Sequence, residues 1–503
     1  MLFNSVQFLI FFPLVCLVIL LSTYILKKNI INQILLLAAS LYFYMCWNPA
    51  YLLLILTSVL ITYMSGLCME NKSSRRKKLI LTLSLISNLG ILFFFKYANF
   101  IAGTIYSVFR LGSTYKPFDI LLPVGISFYT FQALGYSIDV YRGTIKAERN
   151  VITYALFVTF FPQLVAGPIE RSENLLSQFK VDHTFDYDRV TDGLKRAAWG
   201  MFKKVVVADT LAVYVNAFYD DITGSTGIAA VLAVFFFSFQ ILCDFSGYSD
   251  IAIGTAKVLG FNLMDNFRRP YFAKTVGEFW RRWHISLSSW FKDYVYIPLG
   301  GNKVCRMKHY SNILITFLMS GLWHGAAWHF VFWGFLHGIV QVISLVTAAA
   351  RKNIRMSIGI NEKNMFYKVW QIFFTFCFVT VAWIFFRAHS MSEGFTVLRK
   401  VMYFPADILR ILQLIMGSSA IFGEGFFKGI TLGMSKIRFA VMFFLIAILF
   451  AADMFGRKKS ILVRIKSLPF PIRWTGYYAL VLSIFWVWFA NISANSQFIY
   501  FQF

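Results

Sequence analysis

The run Val6-Gln7-Phe8-Leu9-Ile10-Phe11-Phe12-Pro13-Leu14-Val15-Cys16-Leu17-Val18-Ile19-Leu20-Leu21-Ser22-Thr23-Tyr24-Ile25-Leu26, closed by Lys27-Lys28, decides the fold. A helix needs about 20 predominantly apolar residues to cross a hydrocarbon core of roughly 30 Å, and this run supplies them without a charged side chain. No basic segment precedes it and no small-residue cleavage site follows, so it reads as a retained first span and not as a signal peptide. Comparable runs extend outward from it: Ile34 to Trp47, broken by Asn48-Pro49, then Tyr51 to Met69 and Leu79 to Phe95. Asn312 to Ala350, Val369 to Phe386, Phe439 to Ala452 and Tyr477 to Ala490 repeat the pattern in the C-terminal third. Setting Lys27-Lys28 and the cluster Lys72, Arg75, Arg76, Lys77 and Lys78 in the cytoplasm puts the N-terminus outside. The expectation is an all-α, multi-pass membrane protein with roughly 10 to 12 crossings by the length rule.

Composition agrees with this reading. Of 503 residues, 58% are hydrophobic and 14% charged, against about 45–50% and about 25% in an ordinary soluble domain. With 57 Phe, 25 Tyr and 13 Trp, the chain is not a disordered polymer either. The formal charge of +25 comes from 48 Lys and Arg against 23 Asp and Glu, concentrated in short runs between apolar segments. Cytoplasmic loops and anionic lipid account for that, and nucleic acid is not implied. The six cysteines are scattered with no CxxC pair, so neither a disulfide framework nor a zinc site is encoded. The whole chain, 1–503, reads as a single membrane domain, with N-terminal spans over 1–110, a core over 111–350 and C-terminal spans over 351–503.

From about Leu121 to Gly301, apolar stretches such as Val151 to Phe161 and Gly227 to Cys243 alternate with segments too short or too polar to span. Irregular backbone at membrane depth survives only where protein buries it or a water-filled cavity meets it. The middle of the chain is therefore where a tunnel or re-entrant site is expected.

Ionisable residues inside a membrane domain are functional candidates by default. Five of the seven histidines, His284, His309, His324, His329 and His337, fall in one stretch. Their spacings miss the i, i+3 or i+4 pairing of helical zinc ligands, and no carboxylate lies between Ser311 and Ala350, so no metal site is expected. A general base fits better, because imidazole titrates nearest neutrality. His324, in Gly321-Leu322-Trp323-His324-Gly325, reads equally as that base or as half of a Trp-His pair across a helix interface. His329 and His337 read as packing histidines that donate to a neighbouring helix. Arg281, Arg282 and Lys292, interleaved with aromatic residues around His284, suit an interfacial helix or the steering of an anionic donor. Asp244 and Asp250 need cationic partners at that depth, and Arg268, Arg269, Arg281 or Arg282 are the expected ones. No GxxxxGK[ST], GxSxG or HExxH is present, which removes ATP-driven transport and two common hydrolase classes.

The motifs Pro123-Val124-Gly125-Ile126-Ser127-Phe128-Tyr129, Phe161-Pro162-Gln163 with Ala166-Gly167-Pro168-Ile169, and Asp244-Phe245-Ser246-Gly247-Tyr248-Ser249-Asp250 occur in order. Asn266-Phe267 with Pro270-Tyr271, Phe279-Trp280-Arg281-Arg282-Trp283-His284-Ile285-Ser286-Leu287, Gly321-Leu322-Trp323-His324-Gly325 and the terminal Phe498-Ile499-Tyr500-Phe501-Gln502-Phe503 follow. With these motifs the sequence resembles the membrane-bound O-acyltransferase family, in its bacterial branch of alginate O-acetylation and teichoic acid D-alanyl transfer membrane proteins. The resemblance implies a helical fold around a tunnel, through which an acyl group from a cytoplasmic donor reaches an acceptor on the far side. It makes His324 the base that takes the acceptor's hydroxyl proton and His284 the group that orients or polarises its partner. Trp323, Trp283, Arg281, Arg282, Ser286, Asp244, Tyr248, Asp250, Gln132 and Gln163 become candidates for lining the tunnel or substrate site.

The chain length and a soluble-looking insert between Ala388 and Arg438 look more like the polysaccharide O-acetylation proteins than the shorter D-alanyl transfer proteins. Acetyl-CoA is then the expected donor, with no tightly bound cofactor, and the expected acceptor is an exported, alginate-like polysaccharide. The further expectations are extracytoplasmic acetyl-transfer partner proteins and a place in the bacterial cytoplasmic membrane. D-Alanyl transfer from an acyl carrier protein is the alternative within this chemistry. A proton-coupled transporter and a purely structural assembly subunit are the alternatives outside it.

Overall fold

The computed structural model describes residues 1–109, 116–362, 364–415, 428–455 and 465–490. The terminal motif Phe498–Phe503 lies outside them. Among the described residues the regular structure is helical throughout. Seven helices among the described residues are long and apolar enough to cross a membrane: Val6–Ile25, Tyr51–Met69, Ser74–Phe109, Gly227–Val258, Trp328–Val346, Met365–Arg387 and Lys436–Phe455. Others, such as Asn29–Met45 and Ile126–Arg142, are shorter. The length rule counts apolar runs, and some of those runs form helices that fall short of a full crossing.

The chain divides into two compact units. One comprises Met1–Gly200, Tyr248–Asn266 and Ser286–Val295. Its helices are joined by buried hydroxyl and amide contacts, the usual adhesive where water is absent. Ser58 Oγ donates to Asn88 Oδ1 at 2.6 Å, Tyr154 donates to Thr62 Oγ1 at 2.6 Å, and Thr153 donates to Gln33 Oε1 at 2.6 Å. The broken character expected of the middle is present here as the short helices Val151–Thr159, Phe161–Leu164 and Ser172–Phe179. Gly125 opens the Ile126–Arg142 helix at φ +74°, and a Cβ there would stand 2.9 Å from the Leu164 carbonyl oxygen. Only glycine meets both demands.

The second unit comprises Met201–Gly247, Phe267–Ile285 and Tyr296–Phe503. The Gly227–Val258 helix begins in it and differs from the sequence reading, which ended the apolar run at Cys243. The helix continues through Asp244 and Asp250 because both carboxylates find cations. It is also the most enclosed of the seven spans, with 78% of its apolar stretch buried against 17% for Ser74–Phe109. Its N-terminus is capped from the Phe404–Ile415 helix, within the segment that looked like a soluble insert. The buried Asp407 carboxylate accepts from the Gly227 and Ile228 amides at 2.6 and 3.2 Å. A carboxylate there satisfies two orphan donors and complements the helix dipole. Asp407→Ala is expected to destabilise the detergent-solubilised protein by about 1–2 kcal/mol, read as a lowered unfolding midpoint. Asp407→Asn, which keeps an acceptor oxygen, should lose less, and equal losses would count against the cap.

Candidate active site

The site begins with two helices that approach unusually closely. Arg306–His324 and Trp328–Val346 pack against each other through glycine: a Cβ on Gly321 would lie 2.3 Å from the Phe330 carbonyl oxygen, and one on Gly334 would lie 2.3 Å from that of Phe317. Backbones come this near only where side chains are absent. The first helix ends at His324, and Gly325 follows in extended conformation. The His324 imidazole is 4% exposed. It stands nearly perpendicular to Trp323, Trp333 and Phe386, with ring centroids 4.9, 5.0 and 5.3 Å away.

His284 reaches the same place by a different route. The short Val276–Trp280 helix, capped by Thr275, ends in a tight turn where the Phe279 carbonyl accepts from the Arg282 and Trp283 amides. His284 then adopts φ +44°, in the left-handed region that disfavours a residue with a Cβ. Such conformations persist only where the surroundings over-determine them, and they cluster at functional sites. Its ring is wholly buried, edge-on to Phe245 at 4.6 Å, with Trp323 at 6.0 Å and His324 at 6.5 Å. His284 lies outside the seven spans, and burial pushes its imidazole down to about 3, so the ring is neutral at ordinary pH. Two buried imidazoles thus share one aromatic chamber, a setting in which imidazole can take a proton from a hydroxyl.

The sequence profile of the membrane-bound O-acyltransferase family matches residues 31–390. The chain belongs to the membrane-bound O-acyltransferase family. A probable alginate O-acetylase AlgI of Pseudomonas syringae pv. tomato is 39% identical over 399 residues, covering 78% of this chain and 73% of that protein. A peptidoglycan O-acetyltransferase of Helicobacter pylori is 35% identical over 400 residues, covering 74% of each. A teichoic acid D-alanyltransferase of Streptococcus thermophilus is 29% identical over 291 residues, covering 54% of this chain and 70% of that protein.

Within this acyltransferase, the candidates from the sequence separate by unit. Trp283 joins the histidines' unit in a layer with Phe279 and Trp383, at centroid distances of 5.4 and 5.0 Å. Asp244 is in that unit as well, but its partner corrects the sequence reading: Lys204 Nζ stands 2.8 Å from Asp244 Oδ1. The predicted arginines are occupied differently, with Arg281 exposed and Arg282 paired to Glu278 at 2.5 Å. Gln132, Gln163, Tyr248, Asp250 and Ser286 belong to the other unit. Both glutamines donate to the Phe157 carbonyl, at 2.6 and 2.9 Å, and so brace a helix end. Tyr248 packs on Phe3 with ring centroids 4.6 Å apart. Asp250 pairs with Arg196, 3.0 Å away, a partner the sequence reading did not name. Ser286 Oγ donates to Asn266 Oδ1 at 2.9 Å.

His329 packs as expected, with Nδ1 donating to the Phe385 carbonyl at 2.9 Å. His337 reverses the expectation, since its Nδ1 accepts from the Trp280 indole at 3.2 Å. Lys203 and Lys204 were passed over in the sequence, although two adjacent lysines inside an apolar segment were the signal for them.

Two predictions follow from this geometry. Gly334→Val forces a Cβ against the Phe317 carbonyl and should cost about 1–3 kcal/mol as overpacking, with acyl transfer falling further than the folded fraction; transfer that tracks the folded fraction would detach the hairpin from the site. The second concerns acid. Between pH 6.5 and about 3 the unfolded His284 binds a proton that the folded one does not, so its contribution to stability falls as pH drops through that window. His284→Gln removes the term, and its unfolding midpoint should decline less than wild type between pH 7 and pH 5. The difference is on the order of 1 kcal/mol per pH unit.

Proposed function

We propose that this acyltransferase is an O-acetyltransferase of the bacterial cytoplasmic membrane, N-terminus outside, that moves acetyl groups from acetyl-CoA to hydroxyls of an exported polysaccharide. The single observation that carries the reading is the His284–His324 pair, buried together in the aromatic chamber. The acetylase names of the relatives near 35–39% identity favour acetyl over D-alanyl as the group transferred. His324 takes the hydroxyl proton as the acceptor oxygen attacks the thioester carbonyl. His284, neutral and held by its strained backbone, donates a hydrogen bond to the acyl oxygen as negative charge develops there. The carbon–sulfur bond breaks, the thiolate takes up the proton, and an ester and a free thiol leave. Transfer to the glycan passes directly or through an extracytoplasmic partner protein.

The test is thiol release by the purified protein in nanodiscs, with acetyl-CoA and separately a D-alanyl carrier protein as donors. Release from acetyl-CoA is expected, with a loss of about 10²–10⁴-fold in His324→Ala. Release only from the carrier protein would move the reading to D-alanyl transfer. Full activity in His324→Ala would remove the base from the mechanism.

A further inference from the structure

The Lys203–Lys204 pair is the most expensive feature of the second unit that the mechanism leaves unused. Both lysines sit in a π-helical segment, Phe202–Ala208, and both are buried. Lys204 Nζ lies 2.8 Å from Asp244 Oδ1 and 2.9 Å from Asp209 Oδ1, with the Asp244 side chain only 2% exposed. Lys203 Nζ donates to Ser246 Oγ at 2.8 Å. The wider turn of a π-helix narrows the angle between consecutive side chains, which lets two neighbours address one facing helix, and such turns recur at functional sites.

What the lysines hold is one turn of the Gly227–Val258 helix. Residues two apart on an α-helix point to nearly opposite sides, so grips on Asp244 and Ser246 together stop that helix rotating about its axis. Phe245 lies between the two gripped residues. Its ring presents an edge to His284 at 4.6 Å and to Phe267 at 5.1 Å, and Phe267 in turn meets Trp283 at 5.0 Å. A buried ion cluster is a poor source of stability, because apolar side chains of the same volume commonly do as well. Fixing register is the best-attested use of such a cluster.

We propose that Lys203 and Lys204 are positioning residues for His284, acting through Asp244, Ser246 and the Phe245 ring between them. This rests on His284 being part of the acyl-transfer site. The experiment is a double-mutant cycle on full-length protein in nanodiscs, read as thiol release from whichever of acetyl-CoA or a D-alanyl carrier protein supports wild-type turnover. Lys204→Met should lower kcat about tenfold with KM within about twofold, and Lys204→Arg should recover part of the loss. Ser246→Ala, a gentler change that keeps the fold if Lys204→Met does not, should cost about threefold. In a His284→Ala background both penalties should shrink to within about twofold, because the residue being positioned is gone. Undiminished penalties in that background overturn the clamp while leaving His284 in the site. An unchanged rate in His284→Ala alone overturns the assignment of His284 and the clamp with it.

Discussion

A lysine ammonium buried in apolar protein has to be met by opposite charge, and Lys204 is met twice, by Asp244 and Asp209. Much of the second unit is organised around that requirement. It lets the Gly227–Val258 helix run on through its acidic segment instead of ending at Cys243. The same helix is capped at its start by Asp407 and carries Asp250, paired with Arg196, further along. Each contact answers the rule that a buried polar or charged group costs several kcal/mol when left without a partner.

The two histidines are brought together by backbone geometry more than by side-chain chemistry. Gly321 and Gly334 remove the side chains that would hold two helices apart, and the hairpin they permit carries His324 at its end. His284 arrives on a strained left-handed turn braced by aromatic rings. A close helix contact and an unfavourable φ each cost freedom, and both converge on one chamber. That convergence is what distinguishes His284 and His324 from His329, which satisfies a neighbouring helix carbonyl at Phe385.

The membrane class and the helical fold were legible in the first apolar run and in composition, because the bilayer imposes length and apolarity directly on the chain. His284 and His324 were legible as candidates, since imidazoles among glycine and tryptophan are conspicuous. The partners of Asp244 and Asp250 were not. Sequence proximity pointed to Arg268–Arg282, whereas Lys204 lies 40 residues before Asp244 and Arg196 lies 54 before Asp250, and packing across such separations leaves no local signature. Gln132 and Gln163 looked like tunnel residues because they stand beside glycine and proline. Their amides brace the Phe157 carbonyl at a broken helix end, where an acceptor must be satisfied.

The buried charges and the paired imidazoles thus belong to different residues. A carboxylate or ammonium among these rings would need a counterion as close as the one Lys204 requires. A neutral imidazole carries no such demand, yet it can still accept a proton from a hydroxyl and return it to a leaving thiolate. Trp323, Trp333 and Phe386 pack around His324 and leave it only 4% exposed. In the proposed clamp the charged residues stay outside the aromatic cluster, where Lys203 and Lys204 hold the helix whose Phe245 meets His284, and the proposed proton transfer is left to imidazole.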